Sequence, residues 1–262
     1  MAEITRTQWN KYIAKLRTIN EAAVQNFEAY LARHGGFAAM ERSELIDYAY
    51  YVSVKYGEAS AALTAQMYDA IAELSGAAVP SAVPAEVAYS DVAKTVNGII
   101  KNTANDDILA QGIGRVVKMA GTDTMLSNAY RDRPKGTGSK RRHSGAQVAW
   151  VPSGDTCAFC LALASDGWRN QTQWAVDNHS EHIHANCDCT YAVRFNNDLD
   201  IEGYDPDEYR EMYDEADGTK PKDKINAMRR ELYAQNKDEI NAQKREEYAK
   251  RKEREEDEQS IQ

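Results

Sequence analysis

Apolar positions in the first third of the chain recur at spacings of mostly three and four. Trp9, Tyr12, Ile13, Leu16, Ile19, Ala23, Phe27 and Tyr30 form one stripe of an α-helix. His34-Gly35-Gly36 ends it, because glycine takes the left-handed conformation that closes a helix. A second stripe follows in Leu45, Tyr48, Val52, Tyr56, Leu63, Met67, Ile71 and Leu74, with Ser43 and nearby acids suited to its N-terminus. The two helices are expected to pack as an antiparallel pair, with their aromatic residues in the core. Residues 76–84 (GAAVPSAVP) form a linker or sharp turn, since each proline disfavours helix in the residue before it. Helical spacing resumes through Val87, Val92, Val96 and Ile99-Ile100, then through Ile108, Ile113 and Val116-Val117. A further short helix is expected from about Thr122 to Arg131. The pattern then changes: 147–151 (QVAWV) and 190–195 (TYAVRF) are short β-branched and aromatic runs that predict strands.

The C-terminal part is a repeat. Residues 223–237 (DKINAMRRELYAQNK) and 238–252 (DEINAQKREEYAKRK) share nine of fifteen positions. Eleven basic and eleven acidic side chains fall between 221 and 258, which predicts a solvent-exposed charged helix supported by acid–base pairs three and four apart. Ile225, Tyr233, Ile240 and Tyr248 offer a thin apolar stripe for docking on a partner. The organisation expected is mainly α: a helical region over 1–133, a small α+β zinc-stabilised module over 134–205, and a charged helical extension over 206–262.

Composition narrows the function. Hydrophobic residues make up 42% of the 262 positions and charged residues 28%, with a formal net charge of -9. Such a chain does not coat DNA with its whole surface, because phosphate neutralisation needs clustered Lys and Arg. One stretch, residues 131–143 (RDRPKGTGSKRRH), is locally basic. It is either an exposed loop or a DNA contact through Arg131, Arg133, Lys135, Lys140, Arg141 and Arg142. The first ten residues carry no apolar secretory core, and no run of about 18 apolar residues spans a membrane.

All four cysteines lie between 157 and 189. In a chain without an export signal, such clustering favours metal ligation over disulfides. Cys157-Ala158-Phe159-Cys160 is a C-x-x-C turn, and the second cluster runs from His182 and His184 to Cys187-Asp188-Cys189. The two predicted strands, paired antiparallel, would bring these clusters together. Zinc takes four ligands in a tetrahedron. Cys157, Cys160, His184, Cys187 and Cys189 are five candidates for those four places. Thiolates enough to close the shell point to a structural rather than catalytic ion. The deaminase signature fails on order, since His179-Ser180-Glu181 follows the C-x-x-C, and Thr156 stands where a proline is needed. No H-E-x-x-H, G-x-S-x-G or phosphate-binding Gly-Lys-Ser/Thr element is present.

Residues 151–167 (VPSGDTCAFCLALASDG), followed by His184 and Cys187-Asp188-Cys189, resemble the signature of phage Mu F-like minor head proteins, in the branch found in phages of Gram-positive hosts. Residues 56–63 (YGEASAAL) and 121–124 (GTDT), with Asn128 and Arg131-Asp132, support the resemblance, which covers about 50–205. His184-Ala185-Asn186-Cys187-Asp188-Cys189 fits the family's H-x-N-C-x-C pattern, but the proline that often follows it is missing from 190–195. The resemblance implies a structural protein of the phage head, made in the host cytoplasm and present in few copies near the portal vertex. It further implies partners in the portal protein and the major capsid or scaffold, and a role in head assembly or DNA passage. Relatives are often labelled capsid maturation proteases, yet no protease nucleophile arrangement stands out here. The competing expectations are a head-maturation enzyme and a zinc-stabilised nucleic-acid-binding module.

Overall fold

The structure is a computed structural model, and it describes residues 2–134, 145–153, 156–173, 176, 187–197, 199–238, 241, 242, 245, 246 and 248. It is mainly helical with a small sheet region. A short strand β1 (Ala2–Ile4) leads into α1 (Arg6–Arg33), whose first turn is closed by a reciprocal cap between Thr5 and Gln8. Gly35 and Gly36 take positive φ, and the Gly36 amide returns to the Leu31 carbonyl at 2.9 Å, ending the helix where the sequence predicts. After a 3-10 turn at Phe37–Ala39, α2 (Arg42–Leu74) runs back along α1. The Phe37 amide donates to Asp106 Oδ1, pinning this corner to the start of a later helix.

The amides of Ser75, Gly76 and Ala77 bond back to carbonyls of α2, and side chains supply hydrogen bonds to the linker beyond them. Ala82 N donates to Asp69 Oδ1, Val83 N to Asn128 Oδ1 and Ala85 N to Thr124 Oγ1. The Arg131 guanidinium donates to the carbonyls of Pro80 and Ser81 and pairs with Asp132. The proline-containing linker is therefore strapped to the bundle.

Helices α3 (Tyr89–Ile100) and α4 (Asp106–Arg131) complete the bundle. Asn105 caps α4 through the amides of Asp107 and Ile108. The separate short helix expected from Thr122 does not exist; α4 is unbroken through Gly121. That glycine is a packing residue, because a Cβ there would sit 2.7 Å from Ser60 Oγ and 3.0 Å from Thr64 Oγ1 of α2.

Strands β2 (Ala146–Val151) and β3 (Thr190–Phe195) pair antiparallel, Ala146 opposite Phe195 and Val151 opposite Thr190. Between them lies the short helix α5 (Ala158–Ala164). All of β2 is buried, as a strand covered on both faces must be. A second, parallel pair joins β1 to β4 (Leu199–Ile201). One apolar core runs across residue 133: Trp9, Tyr12, Tyr68 and Met125 of the helices pack with Val148, Trp150, Tyr191 and Phe195 of the strands. Helices α6 (Pro206–Glu215) and α7 (Pro221–Gln235) follow.

The first repeat copy corrects one expectation. It is not a wholly solvated helix: Met228 is buried, with Ile225 and Leu232 partly buried beside it. Tyr233, placed in the apolar stripe from sequence, is 43% exposed. Ile240 lies outside the described residues.

Candidate metal centre

The C-x-x-C turn sits at the start of α5. Cys157 is the residue before its first turn and is exposed, whereas Cys160 is fully buried inside that turn. Cys187 and Cys189 lie in the segment that runs straight into β3 at Thr190. Because β2 and β3 pair at Val151 and Thr190, the turn after β2 and the segment before β3 leave the sheet at the same end. The sheet thus carries out the convergence that its sequence predicts.

The sulfurs of Cys160, Cys187 and Cys189 all lie within 4.8 Å of one another. Cys160 Sγ and Cys187 Sγ are 3.3 Å apart. Zn–S bonds of about 2.3 Å in a tetrahedron place sulfurs about 3.8 Å apart, a spacing of the same size as that seen here. The three cysteines can hold a metal ion. Cys157 is the outermost thiol and hydrogen-bonds to Cys160, adjoining the trio. His184, the fifth candidate, lies outside the described residues.

The electrostatics divide the thiols into two kinds. The Cys157 thiol is pulled down to about 5, first by its hydrogen bond with Cys160 and then by the amides of Cys160 and Phe159. Cys187 is pulled down to about 2 by hydrogen bonds from Cys160 and Cys189, with help from the Lys118 ammonium. Hydrogen bonding with Cys157, Cys187 and Cys189, together with burial, pushes Cys160 far up. For Cys189 the hydrogen bond with Cys160 lowers the pKa, but Cys187 and burial outweigh it and carry it to about 12. Physically this is a packed group of sulfurs, and a divalent cation among them would stabilise their thiolate forms.

Two contacts hold the group from outside. The Ser153 amide donates to Cys189 Sγ at 3.4 Å. Lys118 of α4, itself half-buried, donates to the Cys187 carbonyl at 2.7 Å. Arg17 of α1 reaches Asp188 at 3.4 Å, an exposed pair of small energetic weight. Sequence reasoning missed Lys118, because nothing near position 118 ties it to a cysteine 69 residues later.

The basic stretch is only partly described. Arg131 is engaged with the linker, as above, and Arg133 stacks on the Tyr130 ring at 3.7 Å while donating to the Tyr130 carbonyl. Lys135, Lys140, Arg141 and Arg142 lie outside the described residues. Among the described residues, no helix is long and apolar enough to cross a membrane.

A helical bundle with a small sheet and a thiol cluster set into their shared core is the class this architecture defines. The chain belongs to the VG15 protein family, which it matches over residues 3–216, and is therefore a member of a viral protein family. The match takes in the bundle, both strand pairs, the cysteine cluster and α6, and stops before α7. No curated protein and no solved structure matches the chain.

Proposed function

We propose that this chain is a structural minor head protein of a tailed bacteriophage, associated with the portal and acting in head assembly or DNA passage. The observation that carries the reading is the match to a viral family over 3–216, with the cysteine cluster inside it. In this reading the ion is zinc, held by Cys157, Cys160, Cys187 and Cys189, with His184 the one alternative for the outermost place taken by Cys157. The ion's task is to fasten α5 and the start of β3 to the bundle. Two of the four sulfurs are buried and the group is crowded by its own members, which suits a closed shell. A hydrolytic ion instead needs an open position and a base beside it. Any DNA contact through the basic stretch falls to Lys135, Lys140, Arg141 and Arg142, since Arg131 and Arg133 make contacts within the bundle.

The test is the composition of virions of the encoding phage. Peptide quantification against the portal protein is expected to find the chain in purified heads at a few copies, with the major capsid protein at its normal size when Asp188 is replaced by Asn. Heads that assemble and package without the chain would overturn the structural role. Unprocessed capsid protein in the Asp188→Asn phage would replace it with the maturation enzyme.

A further inference from the structure

Helix α5 has two working faces. Cys160 and Ala164 turn inward, to the core shared with the bundle and strands. Ala158 and Leu161 turn the other way and form a separate apolar cluster with Met228, which is 3% exposed. Ile225 and Leu232 of α7 and Tyr209 and Tyr213 of α6 pack around that cluster. Polar contacts fix the same arrangement. Arg210 donates twice to the Ser165 carbonyl at the end of α5, at 3.2 Å each. Lys224 Nζ donates to the carbonyls of Tyr213 and Asp214 at the end of α6, at 3.0 and 2.9 Å.

The repeat itself shows which residues make this contact. The two copies differ at six of fifteen positions, and three of those are Lys224, Met228 and Leu232. Their counterparts in the second copy are Glu239, Gln243 and Glu247. The first copy carries the ammonium and the two apolar side chains that engage α5 and α6. The second carries a carboxylate, an amide and a carboxylate at those positions, so only the first copy has the chemistry to occupy this site.

A seven-residue helix is too short to persist on its own account. One side of α5 presents Cys160 and the other Ala158 and Leu161, and in sequence Cys157 directly precedes Ala158 and Cys160 directly precedes Leu161. We infer that α7 is a latch on the back of the metal centre: metal binding and latch docking stabilise the same helix, each strengthens the other, and loss of the metal frees residues 221–235. The inference rests on the metal reading above. Coupling of this kind is reciprocal, so the factor by which the latch tightens metal binding equals the factor by which metal tightens the latch. Helix α7 lies beyond residues 3–216, those matched to the family.

The experiment uses the full chain loaded with zinc. Met228→Gln combined with Leu232→Glu gives the first copy the second copy's residues. Zinc affinity, measured by competition with a chromogenic chelator, is expected to fall about tenfold, within the usual range of coupling between sites. Amide exchange over 221–235 is expected to accelerate in that variant, and by a similar factor in the wild type once zinc is stripped. Lys224→Glu, which removes only the contacts to the end of α6, gives a smaller shift in the same direction and serves if the double variant does not fold. Zinc affinity within twofold of wild type in a variant whose α7 exchanges freely would overturn the latch while leaving the metal centre standing. Exchange over 221–235 that ignores zinc in the wild type would do the same. A wild-type chain that binds no zinc would overturn the metal reading and the coupling with it, although α7 would still be protected.

Discussion

Helices α1, α2 and α4 run through both ends of the bundle and α3 joins them at one end only, yet the two ends are built from different kinds of element. At one end Ala23, Phe27 and Leu31 of α1 meet Leu45, Ala49 and Val52 of α2, Val92 and Val96 of α3, and Leu109, Ile113 and Val117 of α4. Every one of those side chains comes from a long helix whose backbone hydrogen bonds are satisfied internally, so apolar burial alone can hold that end. At the other end Trp9, Tyr12, Tyr68 and Met125 meet two six-residue strands, and near them a seven-residue helix and irregular segments that together carry four thiols. A two-stranded hairpin is marginal by itself, and so is a short helix. The comparison teaches that apolar burial is most self-sufficient where elements are long, and that the proposed metal cross-link would add most where short elements join distant parts of the chain.

The sharpest way to break that contrast is Cys160→Ser, which removes the innermost thiol. Metal binding is expected to be lost, and amides over 146–151 and 190–195 to lose protection, because binding free energy in such a site is folding free energy. Amides of α3 and the first half of α4 are expected to keep theirs. Equal loss at both ends, read by amide exchange, would mean that the bundle depends on the cross-link as much as the module does. A smaller effect comes from the opposite end. Phe27 is fully buried, and Phe27→Ala is expected to cost about 3–5 kcal/mol of global stability in denaturant unfolding. Zinc affinity of the folded variant should stay unchanged, since Phe27 belongs to the all-helical cluster. A variant that loses zinc affinity as well would join the two ends into one cooperative unit.

The sequence makes one end of the molecule far more readable than the other. The stripes of α1 and α2 and the Gly35-Gly36 stop are local signals, and the elements lie where those signals put them. Both central strands are legible for the same reason, and their antiparallel pairing accounts for the meeting of the cysteines. What stayed hidden is non-local. Gly121 looks like a break until α2 is seen to approach it, and the β1–β4 pair joins three-residue segments nearly 200 positions apart. Lys118 reaches the Cys187 carbonyl from a helix stripe that gives no hint of a thiol partner. In the tail, charge dominates the pattern, so Met228 and Leu232 were submerged in a repeat whose aromatic positions looked more apolar. Comparing the copies position by position, rather than counting what they share, exposes the docking residues.

A metal ion is proposed to complete the cysteine end, and the metal content of the purified chain tests this most directly. Elemental analysis of protein prepared under reducing conditions without chelator is expected to find one zinc per chain, lost in step with the fold over 146–195 when chelator is added. A chain that is folded over those residues and carries no metal would contradict the account.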